Sequence, residues 1–405
     1  MRTVNSTNGG GFVRNAFLAF GIQLVAAWVL GALLCVSANA QDLLVDADTS
    51  FPPGTYDYET VTVTNNATLT VEGVVIINAA TVTVGVGASI SGNGEGYSAE
   101  AGPGAGLHDA DQGSGGGHGG VGGPTSKVAG FGGIVNDSGL VPVEMGSGGG
   151  GANGGTGGGA LTLNVTGTFT NNGVVSVDGG NALGTDGGGA GGSIYVAADT
   201  LEGDGVLQSN GGNSGTVENC GGGAGGRIAV YFVTNNWVGA ASAIGGTGRN
   251  LGYPGDTGTI AFVDITDPLN VIFNAGATWR FEEADAVDYD FSVINLFNST
   301  VVFETDVAVP AMNIGDASVT ALSGVTVTPA TLTANTNAVM DFAPDAVLAA
   351  DDFVVVGDFT WQGDLSLDVV NLSIAAASTL AADGKGYALE EGPGAGVYST
   401  VGSGG

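Results

Sequence analysis

One pattern constrains this chain more than any other. Two glycines followed by a short alternating run return at near-constant intervals: Gly158-Gly159-Ala160-Leu161-Thr162-Leu163, Gly191-Gly192-Ser193-Ile194-Tyr195-Val196 and Gly225-Gly226-Arg227-Ile228-Ala229-Val230. A weaker copy stands at Asp256-Thr257-Gly258-Thr259-Ile260-Ala261-Phe262, and successive copies lie 32 to 34 residues apart. Between them a second element repeats, as Val174-Val175-Ser176-Val177-Asp178-Gly179-Gly180, Val206-Leu207-Gln208-Ser209-Asn210-Gly211-Gly212 and Ala240-Ala241-Ser242-Ala243-Ile244-Gly245-Gly246. Each period therefore holds two short β-type segments joined by glycine-rich turns.

A fixed period of this size marks a stacked array in which each unit buries its apolar face only against its neighbours. The expected fold is all-β, a parallel β-helix (β-solenoid) with glycine-rich loops, each period making one or two coils. Alternation along a strand sends Leu161, Leu163, Ile194, Val196, Ile228 and Val230 inward, so these six should stack. Glycine has two expected uses: positive φ at corners, and close approach of adjacent backbones where a Cβ would intrude.

The flanks extend the scheme. Residues 55 to 91 run as threonine-rich strands such as Val61-Thr62-Val63, Leu69-Thr70-Val71 and Val82-Thr83-Val84, with Asn65-Asn66 and Gly85 or Gly87 as turn signals. From 265 to 376 there are only five glycines, yet β-branched runs continue, among them Val301-Val302-Phe303, Val325-Thr326-Val327 and Phe353 to Val356. No segment after the first forty residues carries a 3.6-residue apolar stripe, so helices should be rare there.

Residues 1–40 read as a secretory signal helix: Arg2 and Arg14, an apolar run from Ala16 to Val36, then Ser37-Ala38-Asn39-Ala40 as a small-x-small cleavage site. The expected organisation is a signal peptide at 1–40, a glycine-rich β-helix module at 41–264, a glycine-poor solenoid continuation at 265–376, and at 377–405 the truncated start of a second module. That last expectation rests on Gly94-Glu95-Gly96-Tyr97 and Gly102-Pro103-Gly104-Ala105-Gly106, which return 290 residues on as Gly384-Lys385-Gly386-Tyr387 and Gly392-Pro393-Gly394-Ala395-Gly396. The chain thus reads as a fragment of a longer protein.

All 39 acidic residues follow position 40, against Lys127, Arg227, Arg249, Arg280 and Lys385, so the segment after 40 carries a formal charge of −34. Nucleic acid is excluded as a partner because phosphate neutralisation takes clustered cations; insertion of the mature module into a membrane is not expected. Only Cys220 remains after signal removal, so no intramolecular disulfide forms, and a small buried residue beside a glycine turn is its expected role.

These residues carry a resemblance. Pro53-Gly54-Thr55-Tyr56 ahead of threonine-rich strands, the Gly-Pro-Gly-Ala-Gly segment, Gly116-Gly117-His118-Gly119-Gly120 and two Gly-Gly-Gly-Ala-Gly-Gly blocks resemble exported glycine-rich β-helix proteins of bacterial surfaces, loosely termed adhesin-like or autotransporter-like. The likeness covers roughly 50 to 264. It implies a parallel β-helix and a surface location, and carries over no catalytic residues and no ligand.

Several groupings invite chemistry. Gly187–Gly192 and Gly221–Gly226 match G-x-G-x-x-G, but the residues after each match read as a strand, whereas a dinucleotide site needs a helix N-terminus. His108, Asp109, Asp111 and His118 form the one His-carboxylate cluster, without zinc-like spacing, and read as polar loop residues. Calcium is the one cofactor considered, on charge alone, since the nonapeptide β-roll repeat is missing. Trp279-Arg280-Phe281-Glu282-Glu283-Ala284-Asp285, continuing to Asp288, Tyr289 and Asp290, would suit glycoside hydrolysis but reads as a solvated bulge. The pairs Thr62/Thr64, Thr81/Thr83, Thr168/Thr170 and Thr326/Thr328 would suit a flat hydroxyl face for ice or carbohydrate. The sequence shows no regular ladder of them, so strand preference is the expected reason for the threonines.

No catalytic, cofactor-binding or metal-ligating residue is therefore assigned. The expected function is a secreted or cell-surface structural or adhesive module, with surface or matrix glycans or proteins as partners. The alternatives are a carbohydrate-active β-helix enzyme (a polysaccharide hydrolase or lyase) and a calcium-binding surface-layer component.

Overall fold

A computed structural model of the protein describes residues 41–381 apart from 110, 126–130, 218, 250–253, 267–268, 273–277, 283–290, 298–299, 344 and 363–365. The signal segment and most of the expected second-module start, 382–405, lie outside the described residues. The fold is an all-β parallel solenoid, as the period requires, and no helix occurs among the described residues.

Each coil contributes one strand to a long sheet and, except after 259–264, one to a shorter sheet. The long strands form a single 13-stranded sheet, here the broad face. They run Gln41–Val45, Gly54–Val63, Val74–Val84, Ala160–Asn171, Ser193–Gly203, Arg227–Trp237, Thr259–Asp264, Leu269–Ile272, Val293–Phe297, Val307–Gly315, Thr326–Ala334, Val347–Val355 and Ser366–Ile374. The short strands form two 6-stranded sheets, one in each half of the molecule. Pairing along the broad face is parallel throughout except where 259–264 meets 269–272 antiparallel, Phe262 facing Asn270 and Val263 facing Leu269. At about 4.8 Å per strand the stack is roughly 60 Å long.

The six predicted inward residues are all buried and stack as expected. Leu161, Ile194, Ile228 and Ile260 stand in one row, and Leu163, Val196, Val230 and Phe262 in the next. One repeat period is therefore one coil. Beyond the antiparallel joint the interior turns aromatic: Phe281 stacks on Phe303 with ring centroids 4.6 Å apart, and Phe353 meets Phe359 edge-on at 5.3 Å.

The glycines depart from expectation in an informative way. Only eight described glycines have positive φ, and several corners are instead turned by Asn65, Asn66, Asp316 and Asn337 in that region. Asparagine and aspartate tolerate it because their short side chains bond locally. Most glycines serve the second use, close approach. Segments 177–192, 209–217, 219–226, 243–249 and 254–258 close a third side of their coils, and between Ser91 and Ala160 the chain makes an excursion from which it returns so that Val75 faces Leu161.

These segments pack as a lattice. Along 187–192 successive N–H groups point at three neighbours in rotation. Gly187 and Ala190 donate to Gly150 and Ser147, Gly188 and Gly191 to Gly221 and Ala224, and Gly189 and Gly192 to Gly180 and Val177, all at 2.8–3.0 Å. Segment 221–226 repeats the rotation, with Gly221 and Ala224 donating to Gly113 and Gly116, and Gly223 and Gly226 to Gly212 and Ser209. Three residues per turn without internal hydrogen bonds is the polyproline II geometry. Here it satisfies buried backbone groups between strands rather than in solvent. A Cβ on Gly189 would lie 1.9 Å from the Thr156 carbonyl oxygen and one on Gly223 1.9 Å from that of Gly189, so only glycine permits the spacing.

Candidate functional site

The first residues of three neighbouring long strands, Ser193, Arg227 and Thr259, stand in register. All three are wholly buried: His118, Asp137 and Glu144 lie against Ser193, Asn136 against Arg227, and Arg227 against Thr259. His118 Nε2 lies 2.9 Å from Ser193 Oγ, and Nδ1 lies 3.1 Å from Asn136 Oδ1. The Asn136 amide nitrogen donates to the Gly117 and Ile134 carbonyls, which turns its oxygen toward the ring and makes Nδ1 the protonated nitrogen.

Asp137 Oδ2 accepts from Val143 N and Glu144 N at 2.9 Å each. That oxygen is also 3.2 Å from Ser193 Oγ and 3.9 Å from His118 Nε2. Burial pulls the His118 pKa down to about 4; Asp137 opposes this, and Arg227 adds to it.

Arg227 is the second anchor. Its Nε donates to the Asn136 carbonyl at 3.0 Å, and its terminal nitrogens donate to Thr259 Oγ1 at 3.3 Å and to Glu282 Oε1 and Oε2 at 2.9 and 3.2 Å. Neither a buried guanidinium nor a buried carboxylate is tolerable alone, and each makes the other possible.

Ser193, His118 and Asn136 have the distances of a nucleophile, base and orienting group. Their surroundings argue for a clasp. Ser193 and His118 are fully excluded from solvent, and Ser193 Oγ also lies 2.6 Å from the Glu144 carbonyl oxygen. What the cluster does is tie the glycine excursion to the strand wall.

The groupings predicted from sequence are scattered over the molecule. The His-carboxylate cluster is split: His108, on an exposed strand end, lies 3.5 Å from Asp186, while His118 is buried in the clasp and is not the polar loop residue expected. No group of three or more metal-ligating side chains occurs among the described residues. The acidic-aromatic patch is likewise not a solvated bulge where it is described: Trp279 and Phe281 are core residues and Glu282 is the partner of Arg227. Glu283 to Asp290 lie outside the described residues. Strands 193–203 and 227–237 come directly after the two G-x-G-x-x-G matches, and Cys220 is buried with its Sγ 3.2 Å from the Val217 carbonyl.

Two features lie on the surface. A shallow groove of about 620 Å³ crosses the glycine-poor half of the broad face over Pro310, Pro329, Ala330 and Ala349, with Asp351 and Asp368 exposed on it. The second is a threonine array that sequence spacing conceals. Thr60 and Thr62 face Thr81 and Thr83, Thr83 faces Thr170, and Thr168 faces Thr200, which faces Thr234. Comparison with protein families, curated proteins and solved structures finds no match to this chain.

Proposed function

We propose that this chain is an exported structural and adhesive module that holds surfaces at a distance from its point of attachment. The observation that carries the reading is the single broad sheet threading both halves, which makes the described residues one continuous stack instead of beads on a string. Side-chain pairing between halves supports stiffness, since Arg227 from the glycine-rich half is bound by Glu282 from the other. The charge of −34 after position 40 keeps such a rod soluble and apart from polyanions. The buried chemistry is spent on holding the excursion in place, which is what a scaffold requires.

The test has two parts. Expressed with its first forty residues in a bacterial host, the protein should reach the outside and be cleaved by protease added to intact cells. Residues 41–405 purified alone should give rod-shaped particles by electron microscopy. Retention inside the cell, or compact round particles, would overturn the proposal.

A further inference from the structure

We infer that the threonine array on the glycine-rich half of the broad face is an ice-binding surface. The inference rests on the adhesive reading only for its biological setting; ice binding by the purified module stands or falls without it.

Register brings the array together. Thr60-x-Thr62, Thr81-x-Thr83 and Thr168-x-Thr170 are 21 and then 87 residues apart, so no sequence period joins them. In space they lie on three consecutive strands, because the excursion 92–159 is looped out between the second and third. A register shift between the pairs Ala79–Val165 and Val82–Phe169 does the final alignment. Strand 160–171 spends four residues between these pairs where strand 74–84 spends three, which sets Phe169 level with Val82 in the core and Thr170 level with Thr83 outside. Thr168 is followed by Thr200 and Thr234 on the next two strands, with the register shift standing between Thr81 and Thr168, while Glu202 and Asn236 end the other column.

Each threonine offers a hydroxyl and a methyl, and branching at Cβ holds them in few orientations. Columns repeat at about 4.8 Å along the stack and at about 6.8 Å along a strand. The oxygen rows on a prism face of hexagonal ice repeat at closely similar distances in the two directions. Among the described residues, no protein group engages the hydroxyls of Thr62, Thr81, Thr83, Thr168 or Thr170, so these remain for water. A saccharide chain would be met by aromatic faces and directed donors, which the columns do not contain. An array of fixed hydroxyls and methyls instead matches a solid whose own unit is one oxygen.

The experiment uses residues 41–405 in frozen sucrose solution, scored for inhibition of ice recrystallisation and for faceting of single crystals. The protein is expected to be active in both. The outward substitutions Thr83→Tyr and Thr170→Tyr should abolish inhibition, and Thr331→Tyr on the other half should leave it intact. The milder Thr83→Ser with Thr170→Ser, which removes methyls alone, should weaken inhibition and covers the case in which tyrosine disturbs folding. Unfolding curves establish that each variant is folded. Wild-type protein without effect on ice, retention of full activity in the folded threonine variants, or binding to microcrystalline cellulose or chitin in place of ice would overturn the inference. None of these outcomes bears on export or rod shape, which are read on cells and by microscopy.

Discussion

The two halves of this solenoid solve the same problem by different means. Residues 160–264 line their interior mainly with Val, Ile and Leu rows and brace it with a third wall of bare backbone, whose hydrogen bonds rotate among three neighbours. Residues 269–381 dispense with that wall. After a first step of 25 from Leu269 to Ile294, their coils advance by 18 to 21 residues between facing positions, against 32 to 34 in the repeated glycine-rich coils, and are filled by Trp279, Phe281, Phe303, Phe353 and Phe359. The difference teaches that a coil has two routes to a closed interior: large side chains inside, or stacked main chain outside. The first tolerates adjustment of a side chain; the second tolerates no side chain at all.

The largest expected effect lies in the glycine wall. Gly189→Ala should cost about 3 kcal/mol or more, since the intruding methyl meets a carbonyl held by its own network. Adding Gly223→Ala, which strikes the carbonyl of Gly189 itself, should leave the glycine-rich half unfolded while the other half survives. Trp237 reports on the first half, Trp279 and Trp361 on the second, so urea unfolding followed by fluorescence of single-tryptophan variants separates them. If both halves tolerate alanine equally, the contrast between them is wrong.

Next comes the link. Arg227→Ala strands Glu282 in a buried position, and breaking such a pair costs about 4 kcal/mol. It should also split one unfolding transition into two, because the pair joins the halves. Coincident transitions in that variant would show that the sheet alone couples them.

Third is pH. His118 in the folded protein titrates at about 4, below its unfolded value near 6.5, so the folded state holds fewer protons between those values. Its contribution is whole above pH 6.5 and is lost as pH falls toward 4, by about 3 kcal/mol at most. The loss should appear in the glycine-rich half only and be absent in His118→Gln, as measured by urea midpoints at pH 7 and pH 4.5.

The smallest effect is Gly324→Ala. This glycine has φ +78° with nothing within 4 Å of a new Cβ, so the cost is backbone strain of about 1 kcal/mol. The same substitution is thus graded by role, mild where glycine turns a corner with open space beside it and severe where it forms the wall.

Legibility in the sequence depended on which groups carry a signal. The inward rows through Leu161 and Leu163 were readable because alternation is a property of side chains. The lattice was not, because Gly187 and Gly189 look identical as letters though their N–H groups face different strands. His118 read as a polar loop residue because nothing nearby in sequence predicts Ser193 or Asn136 around it. Arg227 and Glu282 are 55 residues apart with no pattern joining them. The threonine array escaped for a related reason: looping out 92–159 preserved register in space while destroying it in the chain.

That detour also has a temporal side. A ribosome delivers Val74–Val84 long before Ala160–Asn171, the strand that will cover it. Until then the third coil presents an unpaired edge of the kind that captures foreign strands. Folding from the N-terminus must therefore pause there, with contacts of long sequence separation still to come. Assembly of this protein should depend on the tempo of delivery at one point far more than on the total length to be delivered.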